Sequence, residues 1–164
     1  MIHSKDYVTN LDEKCIQPNA VDLRLDSLRR LDHRNCNIIS LTETGKEFFP
    51  REEVAPVVRS DGEEVYQIGR GIYEFTTRHE VEIPEGTAGW MLIRSTLARN
   101  GFLLGNGLYD AGYKGVIGGV LHVPGWANIT TNFRVAQFIM ASAETGELYD
   151  GHYNRTRGLS TKND

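Results

Sequence analysis

Four short segments of this sequence combine a charged or amide side chain with glycines or apolar residues that would hold it in place. They are residues 17–23 with Asp22, residues 93–98 with Arg94 and Ser95, residues 107–115 with Asp110 and Tyr113, and residues 133–138 with Arg134 and Gln137. Guanidinium, hydroxyl and amide groups donate hydrogen bonds to phosphate oxygens, so these residue types suit an anionic ligand. Asp110 and Tyr113 stand three residues apart among glycines, which let a ligand approach the backbone. The segments are far apart in sequence, and only a fold can bring them together.

The second segment opens the best helix candidate of the sequence. Ser95 is followed by four residues of good helical pattern, and Gly101 is a plausible C-terminal stop after Asn100. The first turn of a helix offers free backbone N–H groups and a positive dipole end. With Arg94 and Ser95 at that end, the segment predicts a seat for phosphate at the start of a very short helix.

Each segment, taken alone, also has a purely structural interpretation. Asp22 could be a surface residue of a strand or a partner in a turn. Asp110 could cap a tight turn among the neighbouring glycines, and Arg134 and Gln137 could face solvent on an edge strand. The chemistry therefore depends on the segments acting together.

The elements that must position these residues are short β-strands. Alternating or continuous apolar patterns occur at residues 21–25, 73–76, 81–83 and 116–123, with Gly, Pro, Asn and Asp clusters between them. Seventeen glycines and many β-branched residues accompany this spacing. The pattern predicts an all-β fold, a distorted β-barrel or jelly-roll-like sandwich with one short helix.

Composition limits the function classes. The 164 residues are 40% hydrophobic and 24% charged, which fits one globular domain. A net charge of −4 gives no general reason to bind nucleic acid, and no apolar run approaches the roughly 20 residues that cross a bilayer. The N-terminus lacks the apolar stretch of a signal peptide, so we expect a cytoplasmic protein. Cys15 and Cys36 have no neighbouring ligands at zinc spacing and are expected to be reduced thiols.

The four segments, in this order, resemble the motifs of the dUTPase and dCTP deaminase superfamily over about Ile16 to Gln137. The resemblance implies a dUTPase-like β domain at residues 1–148, followed by a flexible C-terminal tail at residues 149–164. It also implies a nucleotide substrate and a homotrimer with active sites between subunits.

One position favours the hydrolase branch of the superfamily. In the deaminases a glutamate follows the third motif, five positions past its closing glycine, whereas Val120 stands there in this sequence. Valine cannot move a proton, and no acid occurs between Lys114 and Asn132. We therefore predict a dUTP diphosphatase. The alternatives are a dCTP deaminase, a dCTP-directed or bifunctional nucleotide enzyme, and a non-catalytic nucleotide-binding or regulatory protein of the same fold.

The resemblance also implies roles at the reacting end of the site. Asp110 would activate the water that attacks the α-phosphorus of dUTP, and the Tyr113 ring would pack under the sugar and exclude a 2′-hydroxyl. Mg²⁺ would be held mainly by phosphate oxygens and water, without a carboxylate cage from the protein.

Further residues would hold the rest of the nucleotide. Arg94, Ser95 and Gln137 would bind the phosphate chain, and Asp22 would support that side of the site. In the hairpin that reads the pyrimidine, which is slightly shorter than in most relatives, Asn106 is a candidate base contact or simply a turn residue. In the tail, Arg157, or Arg155, could reach the γ-phosphate, or the tail could have no role.

Overall fold

The computed structural model describes residues 2–32 and 38–151, and within these ranges the chain forms ten β-strands and one α-helix. The strands are β1 (Val21–Leu31), β2 (Arg51–Glu53), β3 (Val57–Val58), β4 (Glu64–Ile68), β5 (Gly71–Glu82), β6 (Thr87–Ile93), β7 (Leu103–Gly105), β8 (Lys114–Val123), β9 (Ala127–Thr130) and β10 (Arg134–Ser142). The helix is α1 (Ser95–Arg99). The all-β prediction with one short helix is confirmed.

The main sheet has seven strands in the order β6-β10-β1-β5-β8-β7, with β2 also paired to β1. All the pairs are antiparallel. After β7 the chain reaches Tyr109, whose backbone exchanges hydrogen bonds of 2.8 and 2.9 Å with Gly89 of β6. The two ends of the sheet thereby meet, and the sheet nearly closes into a barrel. A smaller sheet has the order β3-β4-β9.

The core lies inside this barrel, and alternation along β5 shows how it is built. Tyr73 and Phe75 point into the apolar interior, while Glu74 lies on the opposite face of the sheet. The predicted strands at residues 73–76 and 81–83 fall largely within this one long strand, since β5 ends at Glu82 and its pairing register to β8 shifts between Thr76 and Glu80. A bulge of this kind bends a strand without ending it, so the polar residues 77–80 continue the strand between the two apolar patterns.

Helix α1 begins and ends where the sequence predicts. Arg94 is the N-cap residue, and Gly101, with a φ of 80°, follows the C-cap residue Asn100. A positive φ strains any residue with a Cβ, which is why a glycine ends the helix here. No helix in residues 2–32 or 38–151 is long and apolar enough to cross a membrane.

The N-terminal residues pack against the barrel before β1 begins. Val8 forms an antiparallel bridge with Val81, and Cys15 is a buried free thiol. Cys36 lies outside the described residues.

Candidate functional site

Three neighbouring strands bring the first, second and fourth segments together. Asp22 of β1 lies opposite Gln137 of β10, and Gln137 lies opposite Leu92 of β6. Arg94 follows the end of β6, so the strand order β6-β10-β1 places it beside the same row of side chains. The sheet, rather than the chain, makes these residues neighbours.

Asp22 is the centre of the resulting cluster. Its side chain is fully buried, and its Oδ2 atom lies 2.9 Å from Nη1 of Arg134 and 3.3 Å from Nε of Arg94. Its Oδ1 atom accepts a hydrogen bond of 3.2 Å from Nε2 of Gln137. One carboxylate therefore holds two guanidinium groups and one amide, and burial makes these contacts stronger than they would be in water.

The cluster carries more positive than negative charge. Two arginines face the single carboxylate of Asp22, and the arginine side chains keep 23% exposure at Arg94 and 30% at Arg134. Backbone carbonyls hold both guanidinium groups: Nη1 of Arg94 donates to Arg134 and Nη1 of Arg134 donates to Lys14. Each guanidinium has five N–H donors, so a fixed and partly exposed pair suits an anion. Ser95 adds an exposed residue at the first position of α1.

Asp110 and Tyr113 lie in another part of the same chain. The bridge between Tyr109 and Gly89 places the third segment five residues back along β6 from Arg94. At about 3.3 Å per residue, Asp110 is roughly 15 to 20 Å from Arg94 along the strand direction. The single chain does not bring the predicted catalytic aspartate to the Asp22 cluster.

The third segment itself is a tight turn on buried tyrosines. Asp110 is exposed, and its carbonyl accepts a 3.1 Å hydrogen bond from the N–H of Tyr113. The Tyr113 ring is buried, its hydroxyl donates to the Val116 carbonyl at 2.8 Å, and burial raises its pKa to about 12. The phenol therefore stays protonated at neutral pH and acts as a hydrogen-bond donor.

Of the other predicted residues, Asn106 lies in a turn and two arginines lie outside the described residues. Nδ2 of the exposed Asn106 donates to the Gly107 carbonyl at 2.9 Å, which is a contact within the turn. Arg157 and Arg155 lie outside the described residues, whereas Tyr149 packs its ring against Tyr113. Within the part of the chain that the structure describes, no three His, Cys, Asp or Glu side chains converge on a metal site.

The contact of Arg134 with Asp22 was not predicted, although Arg134 lies in the fourth segment. In the structure it makes the shortest contact to Asp22. The signal was present as two opposite charges, each next to apolar residues of a strand. Burial of either charge alone would be very unfavourable, so such a pair predicts a contact.

A second buried carboxylate also escaped notice. Glu74 of β5 lies directly opposite Val120 of β8, and its Oε2 atom is 2.8 Å from Nη2 of Arg29 and 2.8 Å from Nε of Arg51. Sequence analysis looked for an acid near Val120 only along the chain. The sheet provides one from a different strand, already paired with two arginines.

Comparison with known proteins agrees with this architecture. The model of the dCTP deaminase-like family matches residues 1–143. A protein of Halobacterium salinarum named as a probable deoxyuridine 5′-triphosphate nucleotidohydrolase is 32% identical over 153 residues, which are 93% of this chain and 90% of that protein. A dCTP deaminase of Pyrobaculum arsenaticum is 28% identical over 149 residues, covering 88% of this chain and 80% of that protein.

A solved structure supports the fold independently. The 2′-deoxycytidine 5′-triphosphate deaminase of Agrobacterium tumefaciens superposes with a TM-score of 0.58 at 15% identity, over 82% of this chain and 42% of that one. The relatives carry both hydrolase and deaminase names, so relationship alone does not choose the reaction. With its barrel and its four motif segments in order, the chain belongs to the dCTP deaminase-like family of nucleotide enzymes.

Proposed function

We propose that this protein is a dUTP diphosphatase that hydrolyses dUTP to dUMP and pyrophosphate. The observation that carries the proposal is the cationic cluster on Asp22, which presents two partly exposed guanidinium groups beside the exposed start of α1. The oxygens of a phosphate chain are acceptors that such donors recognise. The Halobacterium relative, named as a probable nucleotidohydrolase, adds support.

In the proposed reaction a water oxygen attacks the α-phosphorus in line with the leaving group. The bond between the α-phosphorus and the oxygen bridging to the β-phosphate breaks, and pyrophosphate leaves. Asp110 accepts the proton of the attacking water. Arg94, Ser95 and Gln137 donate hydrogen bonds to the phosphate oxygens, and Asp22 holds Arg94 and Gln137 in place for that task.

A second copy of the chain completes the site in this proposal. Asp110 lies roughly 15 to 20 Å along β6 from Arg94 of its own chain. An exposed aspartate of one subunit would therefore serve the phosphate-binding cluster of its neighbour. A homotrimer with inter-subunit sites is the assembly that the family resemblance implies.

The substrate would be the magnesium complex of the nucleotide. Mg²⁺ would be held mainly by the phosphate oxygens and by water, since both oxygens of Asp22 are engaged by nitrogen donors. Magnesium would neutralise charge on the leaving pyrophosphate.

A dCTP deaminase is the second candidate. Glu74 lies opposite Val120, so a carboxylate is next to the position at which the deaminases carry their glutamate, and the Pyrobaculum relative is named a dCTP deaminase. Against this candidate, Glu74 already holds Arg29 and Arg51 through a single oxygen and is almost fully buried. A proton shuttle needs access to substrate that this geometry does not offer.

The reaction products distinguish the dUTP diphosphatase from the dCTP deaminase. We expect purified protein with Mg²⁺ to release pyrophosphate from dUTP and no ammonia from dCTP. In Asp110→Asn the rate should fall at least about 100-fold, because the amide cannot accept the proton, while the dissociation constant for dUMP should change little. Asp61→Asn, in an exposed turn beside Arg59, is the matched control and should keep full activity.

Three outcomes would contradict the proposal in different ways. Ammonia from dCTP would establish the deaminase. Nucleotide binding without either product would indicate a non-catalytic binding protein. Unchanged turnover in Asp110→Asn would remove that residue from the mechanism.

A further inference from the structure

The antiparallel pairing between β7 and β8 ends before the chain reaches the turn that connects the two strands. It contains three pairs, which are Leu103 with His122, Leu104 with Leu121 and Gly105 with Val120. In the same register Gly107 would lie opposite Gly118, and Tyr109 opposite Val116. Instead the chain leaves β8 after Gly105, and Tyr109 pairs with Gly89 of β6. Two places in the ladder, at Gly118 and at Val116, thus lack a backbone partner from β7.

Tyrosine hydroxyls fill both places. The Tyr109 hydroxyl donates to the Gly118 carbonyl at 2.8 Å and accepts the Gly118 N–H at 3.3 Å. The Tyr113 hydroxyl donates to the Val116 carbonyl at 2.8 Å. Edge contacts with Tyr113, at 5.1 Å between ring centroids, and with Phe138, at 5.8 Å, hold the Tyr109 ring. Burial raises the pKa of Tyr109 far above its ordinary value, so the phenol remains a donor.

The place at Gly118 has the hydrogen-bonding pattern of a pyrimidine partner. One N–H donor and one C=O acceptor stand side by side on a residue that has no side chain. Uracil presents O4 and N3–H on one edge, and cytosine presents N3 and an amino N–H, so either base can pair with these two groups. The space across from Gly118, beside residues 106–108, is open. These residues are exposed, and a Cβ built on Gly107 would meet nothing within 4 Å.

We propose that Tyr109 sets the affinity for the pyrimidine, because its hydroxyl occupies the backbone groups of Gly118 with which the base edge pairs. The inference rests on the proposed function, which supplies a pyrimidine nucleotide as the ligand. Binding of the base displaces the hydroxyl from both groups of Gly118. The displaced phenol then lies in a buried setting without those two hydrogen bonds, which weakens nucleotide binding.

Removing the hydroxyl tests the proposal. In Tyr109→Phe the dissociation constant for dUMP should fall about tenfold, the factor that corresponds to sparing one buried hydrogen-bonding group. The affinity for 2-deoxyribose 5-phosphate, which has no base, should stay the same. Tyr73→Phe is the matched control, since that buried hydroxyl also donates to a glycine carbonyl, of Gly69 at 3.0 Å, and its loss should leave dUMP affinity unchanged.

A measurement on the unaltered protein covers the case in which the variant does not fold. With glycine-selective ¹⁵N labelling, saturating dUMP should shift the Gly118 amide resonance strongly, while 2-deoxyribose 5-phosphate should not. An unmoved Gly118 resonance, or an unchanged dUMP affinity in folded Tyr109→Phe, would overturn the role of Tyr109. If the unaltered protein binds dUMP and hydrolyses dUTP in the same experiments, only this inference fails. If it does neither, the proposed function fails.

Discussion

Two buried carboxylates in this molecule look alike and differ in what surrounds them. Asp22 is held by Arg94 and Arg134, and Glu74 by Arg29 and Arg51. In both clusters one oxygen of the acid faces two guanidinium groups at 2.8 to 3.3 Å. By charge and burial alone the two clusters would be assigned the same role.

Their positions in the sheet separate them. Arg94 and Arg134 stand where β6 ends and β10 begins, and their side chains are 23% and 30% exposed. Arg29 and Arg51 come from paired strands, β1 and β2, and both side chains are 18% exposed. The Asp22 cluster also includes the amide of Gln137 and adjoins α1. Whether a ligand can reach the arginines of a cluster therefore depends on their positions in the sheet.

The largest effect should come from Asp22→Asn. The change keeps the shape of the side chain but removes the charge that holds Arg94 and Arg134. We expect kcat/KM for dUTP to fall about 100-fold, with most of the loss in KM as the phosphate donors lose their positions. Asp12→Asn, at an exposed aspartate paired with Arg24, should leave both constants nearly unchanged.

The same variant shows whether the site forms between chains. If Asp110 serves a neighbouring subunit, mixing Asp22→Asn with Asp110→Asn under conditions that exchange subunits should restore part of the activity at a dUTP concentration too low for either variant alone to turn over. If activity does not recover although subunit exchange has been verified, Asp22 and Asp110 of one chain would belong to the same site. If KM is unchanged in Asp22→Asn, the Asp22 cluster would have no role in substrate binding and would not differ in this respect from the Glu74 cluster.

Glu74→Gln should give the opposite result. Loss of this charge removes the carboxylate that both Arg29 and Arg51 contact, so the free energy of unfolding should fall by about 3 kcal/mol. Pyrophosphate release from dUTP should stay nearly the same. Urea unfolding and steady-state kinetics on one preparation measure both. If turnover collapses while stability does not change, Glu74 belongs to the reaction and the deaminase candidate gains support.

The smallest effect should be a pH dependence of the free energy of unfolding that arises from His79. This residue is buried on β5, the strand that also carries Glu74. Its Nδ1 atom is 2.8 Å from the Thr9 carbonyl, and its Nε2 atom has no partner among the described residues. Burial lowers the pKa of His79 below its ordinary value of 6.5. The unfolded chain then takes up a proton more readily, so stability is lost as pH falls from 6.5 towards the lower folded pKa.

His79→Gln should flatten that part of the profile. The free energy of unfolding, measured in urea between pH 5 and pH 8, should depend less on pH than in the unaltered protein. An equally steep profile in the variant would mean that another group titrates.

Local features were predictable, and distant pairings were not. The helix at Ser95–Arg99 was predicted because its capping position and its terminal Gly101 are adjacent to it in sequence. The long strand β5 was predicted as two strands, because polar residues interrupt its apolar pattern near the bulge. Neither the carboxylate opposite Val120 nor the role of Arg134 could be found along the chain, because both arise from pairing between strands remote in sequence.

By itself the sequence determined the strand-rich all-β class, the short helix and the residue types of the four segments. Apolar alternation, capping and turn chemistry act between near neighbours and can be recognised without a fold. Only the tertiary structure decided that Asp22 gathers Arg94, Arg134 and Gln137, while Asp110 lies at the far end of β6. The reason is that strand order and register determine which distant side chains share a face, and both depend on how the whole sheet packs around its core.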